Sequence, residues 1–184
     1  MMTFRRLLLS AAAALLAGTA ATAQTESTKP NSDAFDLAAV TAPQFNEIQT
    51  RAARTRLKRI WRTYDAAARR YDAADRSRSR TGRARGFQRA ADGFSVSLKA
   101  LRKWRDKFAG RDARVRLESR RLEQHLTGAR RAAHLRLANA YISRGTYQMA
   151  LDTVERVLMY HPADSEALKL RTHAQFLLAA SLNG

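Results

Sequence analysis

The chain has 184 residues, no cysteine and a formal net charge of +18 at pH 7. The absence of cysteine excludes disulfide bonds and thiolate metal sites. Eight glycines and three prolines, against abundant Ala, Leu and Arg, favour helices over a turn-rich β fold. A chain of this length is expected to form one domain around a single core.

Residues 1–23 have the layout of a secretory signal peptide. Arg5 and Arg6 precede an uncharged apolar stretch, and Ala21 and Ala23 are small, as signal peptidase requires. We therefore expect cleavage after Ala23 and an exported mature protein that is periplasmic or secreted and soluble. An uncleaved membrane anchor and a mitochondrial transit peptide are the alternatives.

Charge is distributed unevenly along the rest of the chain. Residues 24–42 are polar and aperiodic, which predicts a flexible lead-in. Residues 51–136 hold 23 Arg, four Lys and eight acids, a net charge of +19, whereas residues 137–184 are balanced. The positive field of the middle segment attracts polyanions. Whether this charge is functional or reflects genome composition stays open at the level of sequence.

Residues 43–130 are predicted to form an Arg-rich helical region. Pro43 suits the first turn of a helix, and apolar residues then recur at steps of three and four along one face. They are Leu57, Ile60, Trp61, Tyr64, Ala68 and Tyr71. This stripe favours a packed core face over an aromatic binding platform. The Arg-rich run from Arg76 to Arg83 breaks the periodicity and predicts a turn.

A second and a third helix follow this turn. On the second helix, four apolar residues stand seven positions apart, which predicts a face that packs on a neighbouring helix. They are Phe87, Phe94, Leu101 and Phe108. This helix is expected to end near Gly110, and the third begins near Asp112, which can cap it. Gly128 either breaks the third helix or weakens it. The first two helices are expected to fold back on each other as an antiparallel pair, with their Arg side chains facing water.

Small, apolar and helix-ending residues follow in a fixed order within residues 131–164. They are Leu137, Ala138, Tyr141, Gly145, Tyr147, Ala150 and Pro162. This order resembles one tetratricopeptide (TPR) repeat. In such a repeat Ala138 and Ala150 are small where two helices approach, Gly145 ends the first helix and Pro162 cannot continue the second. Residues 165–184 are then expected to form a C-terminal capping helix, opened by Ser165.

The resemblance implies an all-α fold of antiparallel helical hairpins in a TPR-like right-handed stack, with the Arg-rich helical pair at its N-terminal end. A single repeat cannot bury its own face, so the Arg-rich helices must supply the missing packing. His134 departs from the family, which has a bulky apolar residue there, and Val157 stands where a small one is usual. Whether further degenerate repeats exist upstream stays open.

In this family the first helix of each repeat lines a groove that binds peptides or partner helices. The corresponding positions here are Ala132, Leu135, Asn139, Ile142 and Ser143. The amide of Asn139 can hydrogen-bond a peptide backbone, or equally the neighbouring loop.

No residue constellation points to catalysis, a metal or a cofactor. No two histidines stand at the three- or four-residue step that places metal ligands on one helix face. The chain contains no Gly-rich phosphate loop and no Ser nucleophile elbow. We therefore expect a protein that is not an enzyme and that uses no cofactor.

Two functions remain. The preferred interpretation is an exported scaffold or adaptor that binds a protein or peptide partner through the groove. The alternative is a cationic helical module that binds anionic envelope polymer, phospholipid headgroups or nucleic acid. Its polyanion contacts would be Arg76, Arg78, Arg80 and Arg83. Nucleic acid is the least expected ligand, because an exported protein meets little of it. The identity of the partner, the pathway and the oligomeric state stay open.

Overall fold

Every regular element in the described part of the chain is a helix. The computed structural model describes residues 35–37, 40–110 and 112–183. These contain five α-helices, short 3-10 segments and no β-strand. The elements are the turn Phe45–Glu47, α1 Arg51–Arg76, α2 Arg80–Phe108, α3 Ala113–Ile142, α4 Tyr147–Leu158 and α5 Ser165–Leu182. The prediction of an all-α fold is confirmed for these residues, whereas the predicted signal peptide, residues 1–23, lies outside them.

α1 and α2 pack closely because small residues face each other along their contact. A Cβ on Gly86 would overlap the Cβ of Ala74. The backbones of α1 and α2 are therefore closer at this point than they could be with a side chain on both residues. Near the other end of the pair, Trp104 Nε1 donates a hydrogen bond of 2.9 Å to the carbonyl oxygen of Ala53. Early residues of α1 therefore meet late residues of α2, and the two helices run in opposite directions.

The apolar stripe of α1 is a core face. Its buried members are Ala53, Leu57, Ile60, Tyr64, Ala67, Tyr71 and Ala74. The ring centroids of Tyr71 and Phe87 lie 5.2 Å apart, and those of Tyr64 and Phe94 lie 5.8 Å apart. These are the distances of packed aromatic pairs. Most of the stripe therefore packs against α2, whereas Trp61 and Ala68 are half-buried.

The described residues before α1 form a strap rather than the start of a helix. We use this name for residues 35–37 and 40–50. The helix predicted from Pro43 begins only at Arg51. Ile48 is fully buried and has extended backbone dihedral angles (φ −84°, ψ 117°). Burial of this side chain, and not helix propensity, sets the local conformation.

α3 is one continuous helix of 30 residues that does not break at Gly128. Asp112 caps its N-terminus, as predicted, by accepting a hydrogen bond of 2.9 Å from the backbone N–H two residues later. Gly128 has no side chain where the ring of Phe35 packs, and a Cβ there would overlap that ring. The predicted boundary between residues 43–130 and 131–164 falls inside α3, so the two segments share a helix.

A tight turn joins α3 to α4. Gly145 has φ +73°, a left-handed conformation that costs glycine little and other residues more. The backbone N–H of Gly145 donates to the carbonyl oxygen of Ile142 (2.9 Å), and that of Thr146 donates to the carbonyl oxygen of Tyr141 (3.0 Å). These bonds satisfy carbonyls that the end of α3 would leave unpaired.

An ion pair from α3 fixes the start of α5, which begins at Ser165 as predicted. Asp164 caps the helix by accepting a hydrogen bond of 3.1 Å from the backbone N–H of Ala167. Arg131 donates from Nη2 to Asp164 Oδ1 (2.8 Å), and its Nε donates to Oδ2. The hydrogen bond from Arg131 is the main reason that the pKa of Asp164 lies below its usual value.

The described helices enclose two core clusters. The larger one runs through α1, α2 and α3, includes Ala150 of α4 and Ala174 of α5, and contains the bulkiest fully buried side chains, Trp104 and Phe94. The smaller one lies among α3, α4 and α5. It comprises Leu135, Ala138, Val154, Val157, Leu158 and Ala167. In the described part of the chain no helix combines the length and the apolar character needed to cross a membrane.

Candidate functional site

The predicted groove residues all lie in the C-terminal half of α3 or at its end, but they do not share one surface. Asn139 and Ser143 are exposed, and Ile142 is half-buried. Ala132 and Leu135 are buried, with 8% and 3% of their surface exposed. Leu135 packs in the smaller core against α4 and α5. Ala132 and Leu135 therefore offer almost no surface to a partner, because neighbouring helices cover this face.

The repeat-signature residues occupy the packed face and the turns of the same region. Ala138 and Ala150 are completely buried, and Leu137 and Tyr141 are buried. Tyr147 is half-buried at the start of α4, and Gly145 lies in the turn before it. Pro162 is exposed in the loop between α4 and α5.

A small cleft is lined by residues of both the predicted groove and the predicted polyanion contacts. It lies where the turn between α1 and α2 meets the end of α3, and it encloses about 70 Å³. It is lined by Asp75, Arg80, Arg83, Phe87, Arg136, Asn139, Ala140 and Ser143. We call it the arginine cleft. Arg80 and Arg83 were candidates for polyanion contact and Asn139 and Ser143 for the groove, and the fold brings the four together.

The cleft carries more positive charge than its own acid neutralises. Arg136 Nη1 lies 4.0 Å from Asp75 Oδ1. Arg83 Nε donates to the carbonyl oxygen of Ser77 (2.8 Å), which anchors the side chain without cancelling its charge. Arg80 forms no ion pair with any other residue that the structure describes. Three guanidinium groups thus face one carboxylate.

Arg136 lies near Tyr71 as well as near Asp75. Burial raises the pKa of Tyr71, whereas the positive charge of Arg136 lowers it. The guanidinium group of Arg136 therefore interacts with both neighbours.

The polar groups beside the arginines suit a peptide-like ligand. A guanidinium group binds a carboxylate through two parallel hydrogen bonds. The side-chain amide of Asn139 is exposed and makes no hydrogen bond to another residue in the described ranges, so both its donor and its acceptor face solvent. Phe87 and Ala140 form an apolar floor. The cleft can hold a carboxylate next to an amide.

Sequence reasoning missed Arg136, although its spacing was visible. Arg136, Asn139 and Ser143 stand at steps of three and four and therefore share one face of α3. The other two arginines of the predicted polyanion set, Arg76 and Arg78, are exposed but do not line the cleft. The pairing of α2 with the end of α3 joins residues about 60 positions apart, which no local pattern reveals.

Within the described ranges, no group of three or more His, Asp or Glu side chains is arranged to hold a metal ion. Comparisons with protein-family models, curated proteins and solved structures gave no match to this chain.

Proposed function

We propose that this protein is a helical adaptor that binds a protein or peptide partner, with the arginine cleft holding an acidic side chain or the terminal carboxylate of that partner. The observation that carries the proposal is the meeting of Arg80, Arg83 and Arg136 with Asn139 in one cleft. The arginines supply charge-assisted hydrogen bonds, and the amide of Asn139 supplies a donor and an acceptor for a peptide unit. Ser143 extends the polar edge.

We further propose that the second half of α3 and α4 form one TPR-like hairpin, with α5 as its capping helix in a right-handed stack. Complete burial of Ala138 and Ala150 and the left-handed turn at Gly145 support this assignment. α3 differs from the first helix of an isolated repeat, because it continues toward its N-terminus into the Arg-rich bundle. The bundle then supplies packing that one repeat lacks.

A peptide-binding measurement tests the cleft directly. The probe is a pool of fluorescently labelled acidic peptides, made once with free C-terminal carboxylates and once as C-terminal amides. Arg80→Gln with Arg83→Gln should weaken binding about tenfold or more, since two charge-assisted hydrogen-bonding groups are lost. The control is Arg78→Gln with Arg85→Gln, which removes the same charge from exposed positions outside the cleft.

Two further variants separate the parts of the site. Asn139→Ala should weaken every peptide to a similar extent, because an amide that contacts the backbone does not depend on peptide sequence. Arg136→Gln should weaken the peptides that need a carboxylate most. Equal losses in the cleft pair and the control pair would overturn the proposal.

The alternative remains a cationic module that binds anionic polymer, phospholipid headgroups or nucleic acid. The uncompensated cations of α1 and α2 favour it. For a nucleic acid, affinity would fall with salt by roughly 0.7 to 0.9 log units per log unit for each phosphate neutralised. Losses that follow the number of arginines removed, whatever their position, would favour this alternative over the adaptor.

We also propose that the protein acts after export, on the basis of the layout of residues 1–23. N-terminal sequencing of the protein from its native cell should give a mature chain that starts at Gln24. An intact Met1 in a cytoplasmic fraction would contradict export and leave the cleft proposal unaffected.

A further inference from the structure

A second surface lies at the opposite end of the α1–α2 pair from the arginine cleft. It is a groove of about 790 Å³ between the first half of α1 and the end of α2. Arg51, Arg56 and Arg59 line it on α1, and Lys107 lines it on α2. We call it the basic groove. From Arg59 to the end of α1 the helix runs about 25 Å, so the two surfaces can be occupied together.

Among the residues that the structure describes, the cations of the basic groove have no counter-charge. No acidic residue lines it. None of the four cations forms an ion pair with another residue in the described part of the chain, whereas Arg114 and Arg131, elsewhere in the molecule, both bind carboxylates. Like charges at neighbouring helix positions repel each other, so this surface gains from an anionic partner.

The floor of the groove is apolar. Ile60, Ala100 and Phe108 lie at its base, and Phe108 is only half-buried. The ammonium group of Lys107 lies 5.6 Å from the centre of the Phe108 ring, which places a cation at the edge of this floor. A ligand that fills the groove therefore buries apolar surface and meets positive charge at the rim.

The spacing of the cations fits a helix. Arg51 and Arg59 are eight residues apart, which is about 12 Å along α1 and slightly more than two turns. A facing helix with acids two turns apart, seven or eight residues along the chain, presents carboxylates about 11 to 12 Å apart. Its apolar stripe reaches the floor as in helix-in-groove complexes. A flexible polyanion or a layer of lipid headgroups can neutralise the cations, but neither presents an apolar stripe that fits the floor of the basic groove.

We propose that the basic groove is a docking surface for an acidic amphipathic helix of a partner protein. Charge complementarity at the rim and apolar complementarity at the floor together select this occupant. The site is distinct from the arginine cleft and does not require it.

The test uses the full protein and a designed probe. The probe is a fluorescein-labelled peptide of about 18 residues, long enough to form a helix on binding, with Glu residues flanking a stripe of Leu. Fluorescence anisotropy gives the affinity, and circular dichroism shows whether the peptide becomes helical. Arg56→Glu with Arg59→Glu should weaken binding about tenfold or more. Arg62→Glu with Arg70→Glu, exposed on α1 but outside the groove, should change it less than about threefold.

Peptide and competitor arms exclude the other occupants. A peptide that keeps every Glu but has Ser in place of Leu should bind at least about tenfold more weakly. Arg80→Gln with Arg83→Gln should leave binding of the Leu peptide unchanged. The proposal is wrong if polyglutamate or phosphatidylglycerol vesicles bind as tightly as the Leu peptide. It is also wrong if the protein alone dimerises and Arg56→Glu with Arg59→Glu abolishes the dimer.

Discussion

The two ends of this molecule are stabilised in different ways. The bundle of α1, α2 and the first half of α3 has a core of large side chains, with Trp104 and Phe94 completely buried. In the hairpin region of the second half of α3, α4 and α5, the smaller core cluster consists of Ala, Val and Leu, while Tyr141, Ala150 and Ala174 pack into the larger cluster. Within α5, only Ala167 and Ala174 are buried. The hairpin region therefore depends more on close approach of helices and on single polar contacts.

Charge follows the same division. The bundle contains most of the segment 51–136, with its net charge of +19, whereas residues 137–184 are neutral overall. Net charge of one sign destabilises a compact state by self-repulsion. A large aromatic core offsets that repulsion in the bundle and leaves cations free for binding. The same kind of substitution is therefore expected to change the free energy of unfolding by different amounts in the two regions.

The largest effect is expected from Trp104→Ala in the bundle. The substitution removes the bulkiest buried side chain and its hydrogen bond to Ala53. It should lower the free energy of unfolding by about 3 to 5 kcal/mol. Leu135→Ala in the hairpin core should cost about 2 kcal/mol, the lower end of the range for such truncations. Urea denaturation followed by circular dichroism measures both.

The Leu135 variant also bears on the predicted groove. Because Leu135 is buried, its truncation should reduce stability and should affect partner binding only through that loss. If the Leu135→Ala protein is as stable as the wild type but no longer binds peptide, Leu135 belongs to the binding surface after all. Equal stability losses in the two regions would remove the contrast between their cores.

The second effect is a pH dependence that arises in the hairpin region. Burial, and then the positive charges of Arg130 and Arg156, lower the pKa of His134 to about 4, against a usual value of 6.5. Below about pH 6.5 the unfolded chain binds a proton that the folded protein refuses, so stability falls as the pH drops. The loss between about pH 7 and pH 4 is on the order of 3 kcal/mol, from about 1.4 kcal/mol per unit of pKa shift.

Urea denaturation of the wild type and His134→Leu across this pH range checks the prediction. The substitution places an apolar residue where TPR repeats have one. It should make the free energy of unfolding less dependent on pH. His173→Gln, which changes an exposed histidine of α5, serves as the control. Parallel curves for the wild type and His134→Leu would show that His134 is not the source.

Overpacking tests the close approach of helices in the hairpin region. Ala138→Leu or Ala150→Leu inserts a large side chain at a position with no exposed surface, and each should cost about 1 to 3 kcal/mol. Arg78→Gln, at an exposed position in the bundle, should stay within about 0.5 kcal/mol. Thermal melting compares the three. Similar shifts for the Ala and Arg variants would contradict the repeat-like packing.

The parts of the fold that sequence predicts are those set by local pattern. The seven-residue interval between apolar residues of α2 and the helix cap at Asp112 both depend on residues within a few turns of the same helix. Both appear in the structure. The strap was not predicted as such, because Ile48 is placed by long-range burial without any periodicity. Gly128 lies within the continuous α3, where its missing side chain leaves room for the ring of Phe35, a residue 93 positions away that no local pattern connects to it.

The candidate site was predicted only in its parts. Asn139 and the Arg80–Arg83 run were assigned to two different functions, since nothing local connects them. Their meeting depends on the packing of α2 against α3. Leu135 was placed in the groove by its repeat position, but the cover that α4 and α5 provide is a tertiary property.

The smallest change in stability is expected from the loss of a single contact at the start of α5. Asp164→Ala removes the helix cap and the partner of Arg131, and it should cost about 0.5 to 2 kcal/mol at neutral pH. Because the pKa of Asp164 is lowered in the folded protein, its contribution is present above about pH 4. It is lost as the pH falls through the folded value, so the wild type and the variant should converge in acid.

Hydrogen exchange locates the effect of Asp164→Ala in the chain. In the variant, amides of α5 should exchange faster while those of α1 and α2 keep their wild-type rates, because α5 buries few side chains and can open alone. Asp152→Ala, which alters an exposed acid on α4, should leave both sets unchanged. If Asp164→Ala speeds exchange equally in α1, α2 and α5, the bundle and the hairpin region unfold as one unit. The division between them then concerns composition and not stability.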